Sequence, residues 1–417
     1  MKSHYNLIKT TTSIIVIIST LFLYQLSFAS TNKNKSKKMP KTTNTLQTNP
    51  DNFTCYGTTS SDLTGIKQII DRIKGIPIVF IGEKHNQYAD HILQLRIIKA
   101  LYKNHKKLAV GMEMFQRKFQ PVINEYMDGK IDERTFLKKT EYLKRWGYNY
   151  LMYRPIIQFC KKHHLPLVAL NAPSEVARKV SLKGLKSLTK AERKQIPKHL
   201  IFPCPAYKKL LRKIYKIHSE FRMGSFKDFC QAQTVWDQTM AQSIVDFAEK
   251  HPNYQIVALT GSGHVIFGYG IPSKVKQQWP LKQTIVINVH GDKVSPKMAD
   301  FFLFPPEIKQ PYSPKLGVLV DETKIDGHNY LKIVNVIPHT PAWKAGLKAG
   351  YLILAFDGNP IHNIYDLRLD LLFKHEGDTA IVKVKKIRTI LPDEIFNIKV
   401  GPFKENSMTD MLQNMTR

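Results

Sequence analysis

Acidic residues are scarce in this 417-residue chain, which sets 33 Asp and Glu against 63 Lys and Arg for a formal charge of +30. Cysteine is scarce too, at four residues, and none of the four stands in a CxxC. That spacing argues against a thiolate metal knot, while an even count in an oxidising compartment permits two disulfides with three pairings. Cys160 and Cys230 fall on helical patterns, where burial as small apolar side chains is the simpler role. Past the first thirty residues no apolar run approaches the ~20 residues that a membrane span needs.

Hydrophobic content of 43% and aromatic content of 10% mark a globular chain rather than a disordered one. The start reads differently. Lys2 and Lys9 precede the apolar run Ile14–Ile18 and Leu21-Phe22-Leu23, which ends at Ser27-Phe28-Ala29. A basic start, a short apolar core and small residues at alternate positions make a signal peptide over residues 1–29, or else an uncleaved anchor. An exported chain of this charge suits anionic partners, among them lipid headgroups at a membrane surface and ligands bearing carboxylates. It rarely meets nucleic acid, so none is expected as a partner.

Residues 30–60 are mostly Lys, Asn, Thr and Ser and are expected to be a disordered basic linker. From 61 to 300 short aliphatic runs alternate with helical periodicity. Ile78–Ile81, Leu108–Gly111, Leu167–Leu170, Ile256–Leu259 and Thr284–Val289 read as buried strands. Between them Asp90–Lys103 spaces Ile92, Leu95, Arg96 and Ala100 as a helix, and Phe229–Lys250 aligns Ala232, Trp236, Met240, Ile244 and Phe247. The expected class is α/β, a mostly parallel sheet flanked by helices. Between Lys183 and Lys216, eleven Lys and Arg face one acid, Glu192, in a solvated basic face or a lid. Prolines at 305, 306, 311 and 314 mark a linker over 301–315. A second domain follows at 316–400, with a tail at 401–417.

The chemistry lies at strand ends. The first strand runs into Gly82-Glu83-Lys84-His85, the second into Met112-Glu113, the third into Asn171 and the fourth into Gly261-Ser262-Gly263-His264. In an open parallel sheet, ligands bind outside the carboxyl ends of the strands. Glu83, His85, Glu113, Asn171 and His264 are thus expected on one rim. His85 and His264 with a carboxylate could ligate a divalent metal, or the same groups could work as acid and base around a water. Tyr148, Tyr150 and Tyr153 cluster after Trp146 and add phenolic donors.

These residues resemble a family. Gly82-Glu83-Lys84-His85, Gly111–Phe115, Trp146 with Tyr153-Arg154-Pro155, Leu170–Pro173, Trp236-Asp237 and Thr260–Val265 are similar to the ChaN family of haem-binding envelope proteins. That family sits in a superfamily with the Tiki, TraB and erythromycin-esterase proteins. The resemblance covers roughly residues 60–295 and implies an iron-regulated haem-binding protein of the periplasm or outer membrane, in which two subunits can enclose stacked haems. Family members are commonly lipoproteins, whereas no cysteine directly follows the apolar segment here. Haem iron accepts His, Tyr, Met or Cys, so His85, His264, Tyr148, Tyr150 and Tyr153 all stand as axial candidates, and the basic segment could meet the propionates. Tiki-like relatives are metal-dependent peptidases, which keeps a hydrolase built on Glu83, His85, Glu113 and His264 as the alternative.

Downstream, Leu316–Val320, Thr340–Gly350 and Ile353–Pro360 with a helix near Ile364–Phe373 look like a PDZ domain of the bacterial protease type. Tyr351 stands where an acid is usual. The expected fold is a small β-sandwich with two short helices. The resemblance implies capture of a peptide or protein C-terminus as an added strand, its carboxylate held by backbone around Leu316, Gly317 and Val318. No Ser/His/Asp protease set accompanies it.

Overall fold

The computed structural model describes residues 54–57, 65–217, 224–290, 294–386 and 393–401. Contacts divide the chain into two compact units that meet between Gln310 and Pro311. The expected signal peptide, most of the expected first linker and the tail beyond Gly401 lie outside the described residues. No helix among the described residues is long and apolar enough to cross a membrane.

The first unit is a seven-stranded sheet in the order β1-β7-β6-β2-β5-β3-β4. Its strands are β1 (Thr54–Gly57), β2 (Ile78–Glu83), β3 (Leu108–Gln116), β4 (Leu167–Asn171), β5 (Gln255–Gly261), β6 (Gln283–Asn288) and β7 (Phe301–Phe304). Six run parallel, and β1 alone is antiparallel, against β7. Every residue of β2, β3 and β5 is buried, as strands covered on both faces require. The covering helices include α1 (Ile66–Ile73), α2 (Tyr88–Asn104), α3 (Tyr150–Lys162), α4 (Ser174–Lys183), α5 (Phe226–Lys250) and α6 (Ile271–Gln278). The five strands read from aliphatic runs are all present. Two further strands, β1 and β7, fall in the segments expected to be linkers, so the sheet reaches past both expected boundaries.

The buried face of α2 also differs from expectation. Leu93, Ile97, Ile98 and Leu101 are buried together with Asp90, His91 and Gln94, while Ile92, Leu95, Arg96 and Ala100 are only half covered. The polar residues on the true inner face made the weaker stripe look like the apolar one. On α5 the expected face holds for Ala232, Met240 and Ile244, but Gln233 and Asp237 are buried with them. Cys160, Cys204 and Cys230 are free thiols, the first and last buried on α3 and α5. The two disulfides that the count permits are therefore not formed.

The second unit is a six-stranded antiparallel sheet. Its path runs β13-β12-β10-β9-β8, with β11 paired to β10. These strands are β8 (Val318–Ile325), β9 (His328–Val336), β10 (Tyr351–Phe356), β11 (Asn359–Pro360), β12 (Thr379–Lys386) and β13 (Glu394–Lys399), with helices α7 (Pro341–Lys344) and α8 (Ile364–Leu372). Leu331, Ile333, Ile353, Phe356, Leu367 and Val382 lie at its core. Both units match the fold expected from the sequence: a parallel α/β sheet and a small antiparallel β domain with two short helices.

Candidate functional site

Strand register brings the motifs together. Glu83 at the end of β2 lies beside Gly261 at the end of β5, where the chain turns through Ser262–His264. Gly82 makes this fit: a Cβ there would stand 2.9 Å from Ser262 Oγ and 3.1 Å from its Cα. Glu113 reaches from β3 and accepts the Gly261 N–H through Oε2 at 2.7 Å. Asn171 ends β4. A cavity of about 70 Å³ opens between these strand ends, lined by His85, Glu113, Asn171, Trp146, Trp236 and His264 among others.

Glu83 is fully buried and saturated with donors. His85 Nδ1 donates to its Oε1 at 2.7 Å, Tyr153 Oη donates to the same oxygen at 3.0 Å, and Gln94 Nε2 donates to Oε2. His91 Nδ1 lies 3.2 Å from Oε2 and 3.2 Å from Gln94 Oε1, while its Nε2 donates to the His85 carbonyl at 3.2 Å. Both nitrogens of His91 face oxygens that can only accept, an arrangement that favours the protonated ring. Burial alone would raise the Glu83 carboxyl, but the His91 charge and the His85 and His91 hydrogen bonds outweigh it and hold it far below the carboxylate range. Burial would likewise depress His91, and the Glu83 charge overrides it and raises the ring. Because ionised Glu83 can only accept, His85 donates from Nδ1. Its Nε2 has no hydrogen-bond partner among the described residues, and the ring lines the cavity. Trp146 meets the His85 ring edge-on at 4.7 Å between centroids, and Tyr148 lies at 5.0 Å.

His264 has the opposite character. Its Nδ1 donates to Asp237 Oδ1 at 2.6 Å and its Nε2 faces Glu113 Oε1 at 3.5 Å. Burial would lower its pKa, yet the Glu113 charge and the Asp237 hydrogen bond push it up to about 10. Glu113 is held below its ordinary range by the same pairing, against the effect of its burial. Asp237 Oδ2 in turn accepts from Tyr207 Oη at 2.9 Å, with the buried Lys274 ammonium 4.0 Å away. His264 is thus a half-buried ring with both nitrogens engaged, Nδ1 by Asp237 and Nε2 by Glu113.

The expected candidates therefore separate. His85, Glu113, Asn171 and His264 share the cavity, with Glu83 directly behind His85. Asn171 serves the backbone, donating to the Glu113 carbonyl at 2.9 Å and accepting from the Ala172 N–H at 2.8 Å. Tyr150 and Tyr153 are core residues whose hydroxyls serve Glu133 and Glu83, and burial pushes both phenols up, far from phenolate. Tyr148, packed on His85, is the tyrosine of the three that stands partly open to solvent. His91, Gln94, Asp237, Tyr207 and Lys274 were not singled out from the sequence. Their signal was a polar residue inside an apolar helical face. Among the described residues no three His, Cys, Asp or Glu converge as metal ligands. The acids and imidazoles are bound to one another instead.

Comparison with known proteins gives the family context. Residues 69–275 match the family described as "Haem-binding uptake, Tiki superfamily, ChaN", and residues 314–391 match the PDZ domain. The chain carries a ChaN-like domain and a PDZ domain. The structure of "Cofacial heme binding to ChaN of Campylobacter jejuni" is similar over 61% of this chain and 97% of that one, with 17% identity and a TM-score of 0.50, which places the ChaN-like unit in that fold. Protein RETICULATA-RELATED 5, chloroplastic, of Arabidopsis thaliana is 25% identical over 244 residues, covering 53% of this chain and 32% of the relative. The chain thus spans about a third of the length of that curated relative. The PDZ unit is also similar to the HtrA3 PDZ domain bound to a phage-derived ligand, at 16% identity over 21% of this chain and 84% of that one, with a TM-score of 0.18.

In the PDZ unit, β8 is the terminal strand of its sheet, so one of its edges is unpaired among the described residues. Helix α8 lies beside it, and the Ile364 N–H donates to Glu322 Oε1 at 3.2 Å. Leu316 is buried, and the Leu316 and Gly317 carbonyls accept from the Ala342 and Ile337 N–H groups at 2.9 Å each, which pins the turn before Val318. Gly317 has φ +83°, and a Cβ there would lie 2.2 Å from Thr340 Cβ.

Proposed function

We propose that this chain is an exported envelope protein that binds haem across the mouth of the His85 cavity and captures a peptide or protein C-terminus in its PDZ unit. The observation that carries the first part is His85: Nδ1 held by Glu83, Nε2 without a hydrogen-bond partner among the described residues, the ring lining the cavity and Tyr148 packed on it. A second hydrogen bond of this kind fixes ring orientation and raises donor strength toward a metal. Ferric haem, when bound, supplies an iron that accepts an imidazole or phenolate donor. The donor set fits that group. The cavity's about 70 Å³ is well short of the about 300–1,000 Å³ of a ligand-sized pocket, so a macrocycle would rest outside it, with buried Trp146 and partly exposed Trp236 in the cavity wall.

Haem uptake is the role that follows from such binding in an envelope compartment. A homodimer that faces two haems toward one another accords with the cofacial arrangement named for the Campylobacter jejuni protein. The net charge of +30 favours contact with an anionic membrane surface. Capture of a peptide in the PDZ unit is supported by the unpaired edge of β8 beside α8. The metal-dependent hydrolase is the weaker reading, because both nitrogens of His264 are already engaged, by Asp237 and Glu113.

Titration with ferric haem at low and high salt tests this function. A saturable Soret shift that persists at high salt supports it. Binding that disappears with salt is attributable to surface charge alone and overturns it.

A further inference from the structure

Beside the cavity lies a larger cleft of about 670 Å³, lined by Arg117, Lys118, Lys194, Lys198 and His199 with several uncharged residues. Cavity and cleft meet along two stretches of chain. Gln116 lines the cavity while Arg117 and Lys118 line the cleft, and Ala172 and Ser174 line the cavity while Pro173 between them lines the cleft. A flat ligand seated on the cavity mouth therefore has the cleft at its margin.

The cations of the cleft are not equivalent. Arg117 is held by Asp246 at 2.6 Å and Lys118 by Glu175 at 2.6 Å. Lys194 and Lys198 are exposed and have no acidic partner among the described residues. Glu192, two residues before Lys194, is occupied by Lys179 at 2.6 Å and by the capping box with Thr189. The loop that carries Lys198 is also fixed. Arg193 donates to the Pro197 carbonyl at 2.6 Å and the Lys198 carbonyl at 2.7 Å, and the Ile201 N–H donates to Gln238 Oε1 on α5 at 3.1 Å. Two uncompensated ammonium groups thus stand on a preorganised wall, which lowers the ordering cost of pairing them with an anion.

We infer that this cleft receives the carboxylates of the bound macrocycle, with Lys194 and Lys198 pairing the two haem propionates. The inference rests on the haem reading. The cavity supplies the axial donor and the aromatic floor, and the cleft supplies the charge that distinguishes a dicarboxylate porphyrin from a neutral one. It also gives the basic stretch 183–216 a ligand-binding role that a merely solvated face lacks.

The test compares ferric haem with its dimethyl ester, both presented in the same nonionic detergent, on the full chain, on Lys194→Ala/Lys198→Ala and on Lys194→Arg/Lys198→Arg. Exposed charge pairs of this kind are each worth up to about a factor of five, so the alanine pair is expected to weaken haem binding about ten-fold. The Soret position stays unchanged, the ester binds both proteins equally, and the arginine pair restores haem affinity. Equal haem affinity in the alanine pair and the unaltered chain overturns the inference. So does equal weakening of haem and ester, because the lysines then act on something other than the propionates. A chain that shifts the Soret band of neither pigment overturns the haem reading, and this inference with it.

Discussion

Glu83 Oε1 accepts a hydrogen bond from His85 Nδ1 at 2.7 Å, which leaves Nε2 as the nitrogen of this cavity-lining ring without a partner among the described residues. Glu83 simultaneously balances the buried charge of His91. One carboxylate therefore orients the donor and neutralises the imidazolium behind it.

Glu83→Gln removes both effects. It leaves His91 as an unpaired buried cation and is expected to cost about 3 kcal/mol or more in the stability of the ChaN-like domain. It also releases the tautomer of His85, so haem affinity falls beyond what the stability loss explains. Denaturant unfolding and haem titration on the same preparation separate the two. Unchanged stability would contradict the buried pair.

The pairs around His264 set a pH dependence. Its folded pKa is raised from 6.5 to about 10, so its contribution is fully present below 6.5 and is lost as pH rises through 10. The ChaN-like domain is expected to lose on the order of a few kcal/mol between pH 7 and 10, and His264→Gln to flatten that slope. On the acid side, the depressed Glu83 and Glu113 stabilise above about pH 4.5, and that contribution fades as pH falls toward their folded values. Thermal unfolding followed by circular dichroism across pH 3–10 reads both limbs. A stability that rises from pH 7 to 10 would reverse the assignment.

Tyr150 lies in the tyrosine cluster, yet its hydroxyl donates to Glu133 at 2.7 Å from the core. Tyr150→Phe is expected to cost about 1–3 kcal/mol in stability while leaving the haem spectrum unchanged. An altered Soret position in this variant would return Tyr150 to the set of donors.

Gly317 adopts φ +83° against Thr340. Gly317→Ala is expected to destabilise the PDZ unit by about 2 kcal/mol or more and to abolish capture of peptide C-termini, leaving haem binding intact. Binding to a C-terminal peptide library, measured beside haem titration, distinguishes a local effect from general unfolding.

The strand ends were legible because turn glycines and aliphatic runs fix where a buried parallel strand stops. Glu83, Glu113, Asn171 and the turn to His264 followed from that rule alone. The helical half of the site was not. His91 and Gln94 lie one step around α2 from the stripe that the sequence suggested, and Asp237 interrupts an otherwise apolar face of α5. A polar residue on an inner helical face reads as a defect until its partner on another element is known. The tyrosines posed a related problem. Spacing placed Tyr148, Tyr150 and Tyr153 near one another, but only packing shows that two hydroxyls are buried against carboxylates. Strand β7 was hidden by Pro305-Pro306 directly after it, which made Phe301–Phe304 look like the start of a linker.

The central claim is that cavity-lining His85, with Tyr148 packed on it, supplies the donor to haem iron, and that His264, Tyr150 and Tyr153 do not. The most direct measurement is the ferric haem absorption spectrum of His85→Ala/Tyr148→Phe beside His264→Gln. The account predicts that the first variant loses the saturable Soret shift and that the second keeps it at the same wavelength. A His85→Ala/Tyr148→Phe protein that binds haem with the unaltered affinity and spectrum would contradict it.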